Sequence, residues 1–293
     1  GSMGGSLKPL SAYDLACAVL KGTLERSGID PKEVDEVVLG HCRQTSDEPN
    51  IARMAALKVG IPETASAYTV MRQCASAMTA VQNGAMSIMC GLNDVVIAGG
   101  TESMSNAVFY LRNARWGLGT GNTELVDALT EGQFRSQPQE VYARYNMGAT
   151  AENIAQELHI SRQDTSEEKM AKLKPCFIIR KDEEGRLYGS AELTGTVTAA
   201  SSSGRNDGAS AVLLMSEEKA RELGMKPLAK IRGMGTAGCD PRLMGLGPVY
   251  AVPKALDNAG LTMDDIQLIE LNEAFAAQSL GCIKLLGWED KMD

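Results

Sequence analysis

The chain has 293 residues, 44% hydrophobic but only 4% aromatic, with a formal net charge of −8 and a pI near 5.0. That length fills one large or two ordinary domains, and the acidic balance argues against a nucleic-acid surface, which would need clustered Lys and Arg. Seven cysteines without regular spacing favour a reducing, cytoplasmic setting over a disulfide framework. No Cys-x-x-Cys pair or His cluster suggests a metal, no apolar run reaches membrane-spanning length, and no signal-peptide pattern is visible.

Gly1-Ser2-Met3 reads either as the scar of a cleaved tag or as part of a glycine loop, GSMGGSLK. The pattern predicts a helix over 11–27 with Leu15, Val19, Leu20 and Leu24 on one face, stopped by Gly28. A strand follows over 34–39, then a polar loop around 43–50 and a helix over 51–59 ended by Gly60 and Pro62. Residues 105–146, rich in Gly, Arg and Asn, read as irregular, and so long a loop points to function or an oligomer contact. Further on, 149–158 reads as helix and 161–174 as a charged segment. The run over 204–215 reads as a glycine turn and a strand buried on both faces, 216–223 as helix and 229–234 as strand.

The chain is organised around residues 65–104. Alternating Ala67-Tyr68-Thr69-Val70 predicts a strand, which turns at Cys74 into a helix carrying Met78, Val81, Ala85, Ile88, Met89 and Leu92. A cysteine at a helix N-terminus meets unpaired N–H groups and the positive end of the dipole, which favour a thiolate. Cys74 is therefore a candidate nucleophile. Most free cysteines are small buried hydrophobes, and for Cys17, Cys90 and Cys282, inside apolar helical patterns, that plainer reading holds.

An internal repeat adds the architecture. Leu24, Gly28, Ile29, Val34, Val37 and Leu39 are matched at one constant offset by Leu256, Gly260, Leu261, Ile266, Ile269 and Leu271. Helix, glycine stop and strand thus occur twice, which suggests two α/β halves related by duplication, over 1–216 and 217–293. At that offset a second counterpart of Cys74 falls beyond Asp293.

Eight segments in order resemble the thiolase family: GSMGGSLK, QCASAM around Cys74, VVIAGGTESMSNA from Val95, ARWG from Ala114, NMGATAEN from Asn146, SSSGRNDGAS from Ser201, AGCDPRLMGLGPV from Ala237 and LIELNEAFAAQ from Leu268. The resemblance implies a duplicated five-layered α/β/α/β/α fold that exchanges acyl groups with coenzyme A, which is a substrate, and it implies no further cofactor. It makes Cys74 the acylated nucleophile and Asn272 the holder of a water in an oxyanion hole. Ser203 would touch the pantetheine arm, Phe177 and Phe275 would line the pocket, and Met147 would stand beside the acyl group. A homodimer or homotetramer, with contacts from 105–146, is implied as well. Spacing alone reads Asn272 as the N-cap of a helix over 273–286. The chemistry agrees with the resemblance, since thioester exchange needs a soft nucleophile that also leaves readily, and fixed donors for the oxygen that gains charge.

Several departures stand out. The family's Gly-His-Pro histidine and late cysteine belong after Asp293 in segment order, and neither His41 nor His159, read as packed or solvated, replaces them by motif. The family's opening strand before GSMGGSLK also has no counterpart, so the residues read as a portion of a longer protein. A helix and loop that the family carries at this point, covering the nucleotide end of coenzyme A, are missing where Asp164 runs into Thr165. Asn146 stands where biosynthetic members carry histidine, and 181–195 is longer than usual. ARWG and NMGATAEN favour an acetyl-CoA acetyltransferase over a fatty-acid-degrading 3-ketoacyl-CoA thiolase. A non-catalytic acyl-CoA-binding relative is the rival of another class, while NEAF and AGGTESMS argue against carrier-protein synthases and hydroxymethylglutaryl-CoA synthase.

Overall fold

The computed structural model describes residues 1–291 apart from 143, 166–167, 169–171, 177–178, 182–186 and 190–194. In chain order its elements are α1 (Ala12–Ser27), β1 (Glu36–Gly40), α2 (Ile51–Lys58), β2 (Ser66–Val70), α3 (Ser76–Met89), β3 (Val95–Ser103), β4 (Phe109–Leu111), β5 (Leu125–Asp127), α4 (Ala128–Phe134), α5 (Gln139–Tyr142), α6 (Met147–Glu157), β6 (Ile179–Lys181), β7 (Leu187–Gly189), β8 (Asp207–Met215), α7 (Glu217–Glu222), α8 (Gly247–Ala259) and α9 (Ala276–Leu286). They form two compact units, one from residues 1–129 and 204–231, the other from 130–203 and 232–293.

The first unit is a sheet in the order β2-β1-β3-β8, with β1 parallel to β2 and β3, and β8 antiparallel to β3. Side chains alternate across it, as period-2 geometry demands. Val37, Leu39, Val95 and Ile97 face α1 and α2 in a core with Leu20, Leu24 and Ile51, whereas Val38 and Val96 face Ala80 of α3. Helix α1 starts on a reciprocal cap: Ser11 Oγ accepts the Asp14 amide at 3.1 Å and the Asp14 carboxylate accepts the Ser11 amide at 2.9 Å. It stops at Gly28, whose φ of 71° suits glycine. The N-terminal segment is tied in, with the Met3 amide donating to Arg205 O at 2.9 Å and the Gly1 amine to Asp207 O at 2.6 Å.

Several expectations change here. The buried face of α3 is made of Ser76, Ala80, Gly84 and Ala85, while Met78 is 64% and Met89 61% exposed and Leu92, beyond the helix, is 77% exposed. The reason is close approach: a methyl on Gly84 would stand 2.9 Å from Val96 Cγ1 and 3.0 Å from Leu214 Cδ1, so only small residues fit between helix and sheet. Cys90 is exposed and Cys17 half-buried, while Cys282 is buried. Strand β8 is an edge strand and half-exposed rather than buried on both faces. The stretch 105–146, read as irregular, carries the β4–β5 hairpin and the short helices α4 and α5 among largely irregular described residues.

The second unit is built mainly from α6, α8 and α9, and Ile154, Leu246 and Cys282 form one of its cores. The repeated glycine stop recurs, with Gly260 ending α8 at φ 64°. The expected strands over 229–234 and 266–271 join no ladder among the described residues, and Leu268 is 79% exposed. An apolar run becomes a strand only where another backbone offers it hydrogen bonds. Most of the unusually long 181–195 segment lies outside the described residues.

Candidate active site

Cys74 sits on a sharp elbow between β2 and α3, two residues before the helix begins, and is exposed. Gln73, immediately before it, has φ 49°, a left-handed conformation that a side chain tolerates only when its surroundings fix it. They do so at its carbonyl. Ser76 Oγ donates to Gln73 O at 2.6 Å, the Ser76 amide donates at 3.0 Å, and Cys42 Sγ, just beyond β1, donates at 2.9 Å. The same Ser76 Oγ accepts the Arg72 amide at 2.8 Å. Glycines floor this elbow: a methyl on Gly40 would overlap the Ser76–Ala77 backbone, and one on Gly100 would lie 2.7 Å from Ala77 Cβ.

Behind the elbow is a buried polar group. Glu102 Oε2 accepts the Cys42 amide at 2.9 Å, while Glu102 Oε1 stands 3.3 Å from His41 Nδ1, and that nitrogen is also 3.1 Å from the Thr101 carbonyl. Burial alone would push the His41 imidazolium towards neutrality, but the hydrogen bond and charge of Glu102 outweigh it and hold the pKa above the usual histidine value. Burial also pushes the Cys42 thiol up to about 11. His41 is thus packed, as read from sequence, and His159 is exposed behind the end of α6.

The remaining proposed residues lie in the second unit. Met147 opens α6, whose N-cap Asn146 accepts the Ala149 amide at 3.0 Å, and it packs with Ala274 on a buried cluster of Ala151, Val197 and Phe275. Ser203 is exposed, and its amide donates to Ala274 O at 2.9 Å. Ser202 bridges Phe275 in the same antiparallel pairing, so the serine run lies along the Asn272-to-Phe275 segment. Asn272 is exposed and does not cap α9, which begins at Ala276 behind Phe275. The segment before Ser203 is pegged by Glu152 of α6, 2% exposed, which accepts Thr196 N and Oγ1 at 2.8 and 2.9 Å and Val197 N at 2.7 Å. Phe177 lies outside the described residues.

Met147, Ser203, Phe275 and Asn272 are therefore brought to one region of the second unit, while Cys74 has its own elbow in the first. Sequence reasoning missed Cys42, Ser76, His41 and Glu102 as partners of that elbow. Only the serine two residues after Cys74 carried a signal, as a residue able to cap a turn. Among the described residues no group of three or more His, Cys, Asp or Glu side chains is placed to hold a metal ion, and no helix is long and apolar enough to cross a membrane.

Comparison with known proteins gives this arrangement a family. Residues 1–171 match the thiolase N-terminal domain and residues 225–292 the thiolase C-terminal domain. The chain is 39% identical over 343 aligned positions to an acetyl-CoA acetyltransferase of Chromobacterium violaceum, covering 100% of this chain and 83% of that protein. Because those 343 positions exceed the 293 residues here, the relative carries positions inside the matched span that this chain lacks. Among solved structures, acetyl-CoA acetyltransferase of Bacillus anthracis superposes with a TM-score of 0.84 at 37% identity, over 100% of this chain and 81% of that one. Human mitochondrial 3-ketoacyl-CoA thiolase in complex with CoA superposes with a TM-score of 0.86 at 33% identity, over 98% of this chain and 80% of that one. Both halves of the sequence and the α/β fold agree: the chain belongs to the thiolase family.

Proposed function

We propose that the protein transfers acyl groups between coenzyme A thioesters through a cysteine acyl-enzyme, as an acetyl-CoA acetyltransferase. The observation that carries the reading is an exposed cysteine on a left-handed elbow at the start of a helix, in a chain 39% identical to an acetyl-CoA acetyltransferase. In the first half-reaction the Cys74 thiolate attacks the thioester carbonyl, a carbon–sulfur bond forms to Cys74, and coenzyme A leaves as its thiolate. A second acetyl-CoA, deprotonated at its α-carbon, then attacks the acetyl carbonyl. A carbon–carbon bond forms, the carbon–sulfur bond to Cys74 breaks, and the departing Cys74 thiolate is the net acceptor of the α-proton, giving acetoacetyl-CoA. Alternatively the thiolate of free coenzyme A attacks, and acetyl-CoA is re-formed as Cys74 leaves. Met147 and Phe275 are assigned to the acyl pocket with Phe177, Ser203 to the pantetheine arm, and Asn272 to the oxyanion. The shared packing of Met147 and Phe275, and the Ser203 amide on Ala274, support those assignments.

The same reading takes 1–216 and 217–293 as the two halves, supported by the Leu24 and Leu256 repeats. It takes the protein as a homodimer or homotetramer, supported by the exposed apolar Phe109, Leu111, Trp116 and Leu125 on and between β4 and β5. All seven cysteines are free, which supports a cytoplasmic setting.

Incubation with acetyl-CoA followed by peptide mass measurement tests the reading. An acetyl group on Cys74, absent from Cys74→Ala, is expected. Bound acetyl-CoA with Cys74 left unmodified would instead identify a non-catalytic acyl-CoA-binding relative, and cleavage of long-chain 3-ketoacyl-CoA in preference to acetoacetyl-CoA would identify a degradative thiolase.

A further inference from the structure

We propose that Cys42 is a positioning residue for the Cys74 nucleophile, anchoring the elbow to the sheet through the Gln73 carbonyl; the inference rests on the reading of Cys74 given above. Of the three donors on that carbonyl, two belong to Ser76 and come from the same turn. The third, Cys42 Sγ at 2.9 Å, comes from a residue 31 positions away, just past the end of β1. Cys42 is itself fixed, its amide held at 2.9 Å by Glu102 at the end of β3. An unbroken chain of contacts therefore runs from β3 through Cys42 to the peptide that enters Cys74.

The chemistry of the residue suits the task. A thiol donates only while protonated, and burial keeps that of Cys42 protonated across the physiological range. It therefore adds a donor without setting a second negative charge beside the nucleophile. Because the Gln73–Cys74 peptide is planar and trans, fixing its carbonyl also fixes the direction of the Cys74 amide and the start of its side chain. A left-handed non-glycine residue lies in a shallow conformational well, so each donor removed widens the range of positions open to Cys74.

The test compares wild type, Cys42→Ala, Cys42→Val and Cys42→Ser in the full chain. It follows acetyl transfer from acetyl-CoA to Cys74 by peptide mass, at several acetyl-CoA concentrations. Both apolar variants should slow the maximal rate by about three- to tenfold, the effect of one lost hydrogen bond, with the half-saturating concentration unchanged. Cys42→Ser, which keeps a donor, should recover most of the rate. A void left by Ala that lowers the melting temperature makes Val the deciding variant, since it fills the space without donating. Wild-type rates in Cys42→Val, or a serine variant as slow as valine, would overturn the proposal while leaving Cys74 as nucleophile. An acetyl group acquired equally by Cys74→Ala, or by no variant at all, would overturn the reading beneath it.

Discussion

His41, 2% exposed, faces Glu102 across 3.3 Å beneath the Cys74 elbow, so the enclosed histidine of the first unit is held towards its charged form by a carboxylate. A group whose pKa is higher folded than unfolded stabilises the protein fully below its unfolded value, about 6.5, and loses that contribution as pH rises through the folded value. Urea midpoints of wild type should therefore fall more steeply than those of His41→Gln between pH 6 and 8. A variant profile parallel to wild type would remove the pair from the stability of the unit.

Gly40→Ala should be costly out of proportion to one methyl. The added carbon would meet backbone atoms of Ser76 and Ala77, which cannot move without shifting the start of α3. Destabilisation of about 1–3 kcal/mol is expected, as for overpacked cores, along with slower acetyl transfer to Cys74. Chemical denaturation and the mass assay read the two effects separately.

The thiols should divide into two kinetic classes. Cys74, Cys90 and Cys176 are exposed, whereas Cys282 is buried and Cys17, Cys42 and Cys239 are partly enclosed with thiols pushed up by burial. A colorimetric disulfide titration of the native protein near pH 7.5 should show three fast equivalents, and four more only on unfolding. Fast labelling at Cys42 would contradict the hydrogen bond assigned to it.

Glu152→Ala should strand the buried Val197 amide together with the partly buried Thr196 amide and hydroxyl that the carboxylate now accepts. Loss of at least about 2 kcal/mol follows from leaving such donors unmet. Gly195→Ala should act in the same direction, because a methyl there would overlap Glu152 Oε1. Denaturant midpoints of both variants at unchanged slope provide the check.

Local order was legible wherever the chain carries its own instructions. Gly28 announced the end of α1, the polar loop up to residue 50 gave way to the helix read over 51–59 and found over Ile51–Lys58, and the strand read over 34–39 is found over Glu36–Gly40. What could not be read depended on partners distant in sequence. The apolar run over 266–271 looks like that over 34–39, yet only the latter meets neighbouring backbones on both sides. The methionines of α3 looked like its core face, but the fit of Gly84 against Val96 selects the small residues instead. At the elbow, Cys74 was visible from its turn and helix, whereas Cys42 and Glu102 reach it only through the ends of β1 and β3.

Strand β8 arrives late. It seals β3 along nine residues, from Val95 opposite Met215 to Ser103 opposite Asp207, although more than a hundred residues separate the two ends of that pairing. During synthesis the nascent first unit must wait, with one flank of β3 open, while the whole intervening stretch emerges from the ribosome. Contacts so far apart in sequence slow folding and prolong the exposure of unpaired backbone. Chaperone demand in this protein should therefore concentrate on the interval between translation of Ser103 and of Met215.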